Sequence, residues 1–324
     1  MRLAALVTVG AAALAPTAGV AIAATPTPSG GDKVTFTVGI PNDVDSLNPF
    51  TGVIAEAYEA WALMYDSLIG YSDKDFSAVP ALAESWKTSA DEKTWTYTIR
   101  AGVKWSDGKP VTARDVAYTY NRVLEGDYEQ TNWGSYLRGV TKVTAQDDTT
   151  LVITTSTPTP NMTKLYIPIL PEHTWSKIDG KKVRSFANEK DVVGSGPFRL
   201  VERKTGQFVR FAANPEYWGG TPKIDEVIFK VYTNQDALGQ ALKKGEVDFA
   251  ESMEADPWES LKNTPGITTR ASRYPGFDQV TFNTGAALTD GTPIGDGNPA
   301  LKDKRFRVAL NYAIDRDLIQ KRGL

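Results

Sequence analysis

Val227-Ile228-Phe229-Lys230-Val231-Tyr232, then Thr233-Asn234, then a run carrying Leu238, Ala241 and Leu242 on one face, then Gly245 and Val247-Asp248-Phe249, is the stretch that decides the fold class. The first run is β-branched and aromatic, as a strand requires. Thr233 or Asn234 can cap a helix, the three apolar residues recur at three- and four-residue spacing, and Gly245 supplies its end. Strand, helix, strand in that order predicts a parallel pair joined by a right-handed crossover. The chain is therefore α/β.

Working outward, Val34, Phe36, Val38 and Ile40 alternate with Thr35, Thr37 and Gly39 and predict a half-buried strand. Pro41-Asn42-Asp43 and Asn48-Pro49 break it into a loop running to Thr51-Gly52-Val53. The helix that follows is expected to bury Ala55, Tyr58, Ala62, Tyr65 and Leu68. Trp95, Tyr97 and Ile99 alternate with threonines, and Asp107-Gly108 is a hairpin-type turn signal beyond them. Thr112-Ala113-Arg114-Asp115 resembles a capping box and opens a helix carrying Val116, Tyr120, Val123 and Leu124. Val140 to Val152 holds strand-like runs around an Asp147-Asp148 turn, and a last helix is expected from Asp303 through Phe306, Leu310 and Ala313.

Composition narrows the function classes. At 41% hydrophobic and 23% charged residues, with mean hydropathy −0.31, the chain is globular, and its net charge of −3 argues against nucleic acid as a partner. Zero cysteines exclude disulfides, thiolate nucleophiles and zinc-thiolate sites. The one histidine, His173 in Pro171-Glu172-His173-Thr174-Trp175, is accompanied by no nucleophile motif and reads as a surface or loop residue. Arg2, the Ala/Leu/Val-rich run from Leu3 to Val20, and Ala21-Ile22-Ala23 read as an export leader cleaved near Ala23, with a flexible tether behind it. Without cysteine there is no lipobox.

The specific information lies in runs that resemble the bacterial extracellular solute-binding proteins of family five, the dipeptide, oligopeptide and nickel-type binders. Ala81-Leu82-Ala83-Glu84-Ser85-Trp86 matches that family's L-A-E-S-W. Thr94 to Gly108 and Val111 to Val116 continue the resemblance, followed by Gly194-Ser195-Gly196-Pro197-Phe198, Asn214-Pro215-Glu216-Tyr217-Trp218-Gly219-Gly220 and Ala309-Leu310-Asn311-Tyr312-Ala313-Ile314-Asp315-Arg316. Several matches in one order carry far more weight than any one of them.

The resemblance implies a periplasmic-binding-protein-like two-lobed fold of type II with an extra subdomain in lobe I. It divides the chain into a signal peptide at 1–23, a tether at 24–32, lobe I at 33–275 with a subdomain inserted at about 74–190, and the start of an incomplete lobe II at 276–324. It implies a non-enzymatic substrate-binding component of an ABC importer, exported to the cell surface or periplasm. Such a component captures oligopeptides or dipeptides and delivers them to permease subunits, with no cofactor, no metal, and no membrane contact except through the transporter. Trp133 matches a position where relatives turn an aromatic toward the ligand, with core packing as the alternative reading, and Thr51, Gly52 and Val53 match a segment that offers backbone groups to it. Glu251 and Glu254 are candidates to meet a ligand cation, against the blander reading of solvated loop carboxylates; Trp86 and Trp218 read as fold residues. A carbohydrate-active enzyme, suggested by 8 Trp, 13 Tyr and abundant carboxylates, is the competing class, with nickel-chelate or oligosaccharide binding as variants of the same fold. A surface adhesion or chaperone-like role is a third. The segment from Asn283 onward is expected to be poorly covered, because apolar residues such as Phe306 and Leu310 lack partners there.

Overall fold

The computed structural model describes residues 33–271, 280–287, 291–295 and 297–323. The expected leader and tether lie outside these residues, as does the expected lobe boundary at 275/276. The chain divides into two compact units, Met1–Met253 and Glu254–Leu324.

In the first unit, among the described residues, the strands form three sheets. The largest has five strands in the order β11-β1-β10-β9-β8: Phe249–Ala250, Thr35–Ile40, Glu226–Val231, Phe208–Ala213 and Phe198–Lys204. The strand-helix-strand stretch is present as β10, α6 (Gln235–Lys243) and β11. Asn234 is the cap, its Oδ1 accepting from the Ala237 N–H at 2.8 Å, and Leu238 and Ala241 are buried. The expected parallel pair is corrected in one respect. β10 and β11 are not neighbours, because β1 lies between them and is parallel to both. The alternation in β1 is corrected for the same reason. As an interior strand covered by α6 it buries Val38, Gly39 and Ile40 in succession. A Cβ on Gly39 would lie 2.2 Å from Leu238 Cδ1, so glycine is what lets α6 approach the sheet.

Between β1 and β8 the chain builds a second layer. After α1 (Ala55–Met64) come a two-stranded ribbon, β2 (Ile69–Tyr71) and β3 (Ala78–Pro80), and a four-stranded antiparallel sheet ordered β4-β5-β7-β6. These four strands are Ala83–Thr88, Thr94–Ile99, Thr150–Thr155 and Val140–Ala145. β5 pairs with β4 and β7, so the Asp107-Gly108 turn does not close a hairpin on it; that turn spans only an isolated bridge from Lys104 to Pro110. α2 (Ala113–Glu125) packs on the sheet and carries the expected box. The Thr112 N–H donates to Asp115 Oδ2 at 2.9 Å, and the Arg114 N–H donates to Thr112 Oγ1 at 3.3 Å. Short helices α3 (Gln130–Trp133), α4 (Glu172–Trp175) and α5 (Gly180–Val183) complete this layer.

α1 does not bury the face that its sequence suggested. It ends at Met64, Ala55 is exposed, and Tyr58 and Ala62 are only half-buried. The buried face is Ala57, Ala60, Trp61 and Met64, and it takes Glu56 and Glu59 inward with it. The second unit contains α7 (Ala255–Leu261), α8 (Lys304–Ala313) and α9 (Arg316–Gly323). None of the residues of α8 is buried, and Phe306, Val308 and Tyr312 stand in solvent. No described helix is long and apolar enough to cross a membrane.

Candidate ligand-binding site

In open α/β sheets, ligands sit beyond the carboxyl ends of the parallel strands. Here those ends are Val231, Ile40 and Ala250, and the residues just past them assemble a group of carboxylates. The Glu251 N–H donates to Gly39 O at 3.3 Å, which holds Glu251 at the mouth of the sheet. Its side chain is hydrogen-bonded to Glu59 of α1, with Glu56 close by. Glu56 accepts a hydrogen bond from Asn42 Nδ2 at 2.9 Å, just past β1. All three carboxylates are buried, at 3%, 5% and 4% exposure for Glu56, Glu59 and Glu251. Burial, and then the negative charge of Glu59, push Glu251 up to about 9, so at neutral pH the pair holds a proton. The reading of Glu251 as a solvated loop carboxylate is thereby corrected; Glu254 is exposed.

Tyrosines surround this group. Tyr58 is in ring contact with Trp133 at 5.4 Å, Trp133 with Tyr136 at 5.8 Å, and Tyr71 with Tyr166 at 5.7 Å. The Tyr136 hydroxyl is close enough to those of Tyr58, Tyr71 and Tyr166 to raise each of them, and Glu59 does the same to Tyr166. Burial is the main cause in all three cases, and it takes Tyr71 and Tyr166 to about 12. The four tyrosines thus lie near one another, each partly open to solvent, and Tyr166 is the one beside Glu59.

Of the residues nominated from sequence, Trp133 is 0% exposed, with its indole N–H donating to Pro49 O at 2.7 Å. Of its two readings, a wall facing the ligand and a core residue, its burial favours the second: its N–H is bonded inward and its ring packs among Tyr58, Trp61 and Tyr136. Its contribution to the surface passes through Tyr58 and Tyr136. The Thr51–Val53 backbone is largely engaged. The Thr51 and Gly52 N–H groups donate to Asn48 O, Gly52 O accepts from Asn132 Nδ2 at 2.5 Å, and the Val53 N–H donates to Asp45 Oδ2 at 2.8 Å. Gly52 is required there, since a Cβ would lie 2.6 Å from the Trp61 ring. Val53 alone presents its side chain, at 63% exposure. Glu56, Glu59, Tyr58, Tyr136 and Tyr166 were missed. A signal existed for the α1 residues, because Ala57, Ala60, Trp61 and Met64 form a stripe at three- and four-residue spacing that competes with the one chosen.

The remaining motif residues hold the frame. Asp66, just past α1, accepts hydrogen bonds from Tyr217 Oη and Trp218 Nε1, each at 3.1 Å, and Arg100 lies 4.4 Å over the Trp218 ring. Ser195 Oγ accepts from the Asp66 N–H at 3.1 Å, and the Gly196 N–H donates to Met64 O at 2.9 Å. Burial pushes the Asp66 carboxyl up to about 6 despite these donors. His173 Nε2 lies 2.7 Å from Asp107 Oδ2 on the surface of this layer.

A parallel three-strand core with polar residues gathered past its carboxyl ends, and a long insertion after its first strand, is the architecture of a solute-binding lobe. The chain belongs to the bacterial extracellular solute-binding proteins, family 5, whose Middle model matches residues 77–324. It is 32% identical over 315 residues to Protein XP55 of Streptomyces lividans, covering 94% of this chain and 54% of that protein. It is 30% identical over 292 residues to a putative ABC transporter peptide-binding protein of Brucella ovis, covering 88% of this chain and 51% of that one. Among solved structures it resembles the oligopeptide-binding protein AppA from Bacillus subtilis in complex with a nonapeptide, with a TM-score of 0.66 and 25% identity, over 72% of this chain and 47% of AppA. The chain spans about half the length of the relatives it matches.

Proposed function

We propose that this chain belongs to the substrate-binding component of an ABC importer. It captures oligopeptides or dipeptides outside the cytoplasmic membrane and hands them to permease subunits, acting by binding and not by turnover. The family match over residues 77–324 carries this reading. The peptide-binding relative of Brucella ovis and the nonapeptide complex of AppA support the ligand class. The division into lobe I, its inserted subdomain and the start of lobe II is part of the same proposal, as is export by the N-terminal leader.

The physics suits a carrier. A peptide taken out of water must have its backbone amides re-paired, and β-like pairing with open side-chain pockets does this without selecting sequence. A glycosidase needs two carboxyls about 5–10 Å apart across a sugar. Glu59 and Glu251 are hydrogen-bonded to each other instead, which leaves no room for one. The test is a calorimetric and thermal-shift screen of di- to hexapeptides. A peptide at a hundredfold excess over its Kd should stabilise the chain by about 2.7 kcal/mol. Turnover of a chromogenic glycoside, without peptide binding, would reverse the reading.

A further inference from the structure

The Asn48–Val53 loop is gripped from two sides, and one guanidinium joins the two grips. On one side stands α3: Asn132 Nδ2 donates to Gly52 O at 2.5 Å and to Pro49 O at 3.3 Å, and Trp133 Nε1 donates to Pro49 O at 2.7 Å. On the other is the end of α5, where Asn48 Nδ2 donates to Val183 O and to Phe186 O, each at 2.8 Å. Arg122, in the last turn of α2, reaches both. Its Nε donates to Glu129 Oε1 at 3.0 Å, and Glu129 is the residue from which α3 starts. Its Nη1 donates to Trp175 O at 2.6 Å and its Nη2 to Ile178 O at 2.8 Å, which fastens α4 and the turn leading into α5. Phe50, inside the loop, has its ring 5.9 Å from the guanidinium and meets Trp175 edge to face at 5.5 Å.

This ion pair is interior, with 11% of the Arg122 side chain and 2% of the Glu129 side chain exposed. Apolar side chains would pack α2 against α4 with less desolvation cost; what they cannot do is fix direction. A planar fork of donors can, and a lysine ammonium cannot copy it. We infer that Arg122 is the positioning residue of the Asn48–Val53 loop. Its fork sets α3 and the α4–α5 segment at one spacing, and that spacing holds Thr51, Gly52 and Val53 in the form that meets cargo. The inference rests on the solute-binding reading, which gives this loop a ligand to meet. A cavity of about 760 Å³ beside α2, with Arg122, Tyr118, Glu129 and Ile178 in its lining, opens the guanidinium to small solutes. A hole left at Arg122 can therefore be filled from outside.

The test is hydrogen exchange of the purified chain, read by mass spectrometry on peptic fragments covering 48–53 and, for reference, β9 and β10. The variants are Arg122→Lys, which keeps the charge and loses the fork, Arg122→Ala, and Arg114→Ala, an exposed arginine on the same helix that pairs with Asp148 at 3.2 Å. Far-UV circular dichroism shows which of them are folded. Exchange in 48–53 is expected to quicken about tenfold or more in both Arg122 variants, with β9 and β10 unchanged and Arg114→Ala like wild type. Ethylguanidinium, which returns the fork to Arg122→Ala, should slow the loop again, and ethylammonium should not. If Arg122→Ala does not fold, Arg122→Lys decides alone. A loop that exchanges as in wild type overturns the inference, and so does a rise shared with the two strands, which would make Arg122 a general stabiliser. Calorimetric titration with trialanine, a peptide with little but backbone to offer, separates the inference from the reading beneath it. Affinity lowered about tenfold by Arg122→Lys and untouched by Arg114→Ala upholds both. Equal affinity despite a loosened loop overturns the loop's role toward cargo. Silence of wild type toward trialanine, with a loosened loop, counts against backbone-directed peptide capture and upholds the positioning of the loop by Arg122.

Discussion

Replacing Asp66 by asparagine keeps the shape of a buried acceptor and removes its titration. The wild-type carboxyl is pushed from 3.8 to about 6, chiefly by burial. A group whose folded pKa is raised adds stability that is complete below the unfolded value and lost as pH climbs through the folded one. At about 1.4 kcal/mol per pKa unit, the full loss is about 3 kcal/mol, of which about 2 kcal/mol falls between pH 4 and pH 8. Asparagine has one oxygen where Asp66 has two, so one of the Tyr217 and Trp218 donors loses its acceptor, at a cost of roughly 1–3 kcal/mol. D66N is therefore expected to trail wild type at pH 4 and to close about 2 kcal/mol of that gap by pH 8. Urea unfolding of both proteins at four pH values measures it, and every other titrating group cancels in the difference. A gap that stays constant across this range would show that Asp66 does not titrate there and would refute the assignment of burial as its governing environment.

Gly196→Ala should cost at least about 2 kcal/mol in the same assay, because the new Cβ would stand 2.4 Å from Leu63 O and 2.6 Å from Met64 C, backbone that cannot yield. Gly180→Ala, with nothing within 4 Å, is its control and should stay within about 0.5 kcal/mol of wild type. Asp115→Ala removes both the capping-box acceptor and the partner of the Glu172 N–H at 3.0 Å, and a melting curve should register a loss of about 1–3 kcal/mol. Trp133→Phe strips the 2.7 Å bond to Pro49 O and should destabilise by roughly 1–2 kcal/mol. Limited proteolysis should cut first in the 283–323 segment, where Phe306, Val308 and Tyr312 have no cover; cleavage starting in the five-stranded sheet would contradict this.

Local signals were legible in the chain because their physics is local. The Thr112 box, the Asn234 cap, the Gly245 stop and the strand-helix-strand order all depend on residues within a few positions of one another, and the structure contains each of them. The family motifs were legible too. Their reason was not, since Asp66, Arg100, Ser195 and the Tyr217-Trp218 pair meet only when the chain folds back, with Asp66 and Tyr217 lying 151 positions apart. Tertiary structure alone decided three things. It inserted β1 between β10 and β11, because parallel pairing carries no sequence mark of its partner. It chose between the two apolar stripes of α1, because both satisfy a helical period and only the available core breaks the tie. And it brought Glu251 to Glu59, two carboxylates 192 positions apart that read singly as surface charges and together, out of water, share a proton.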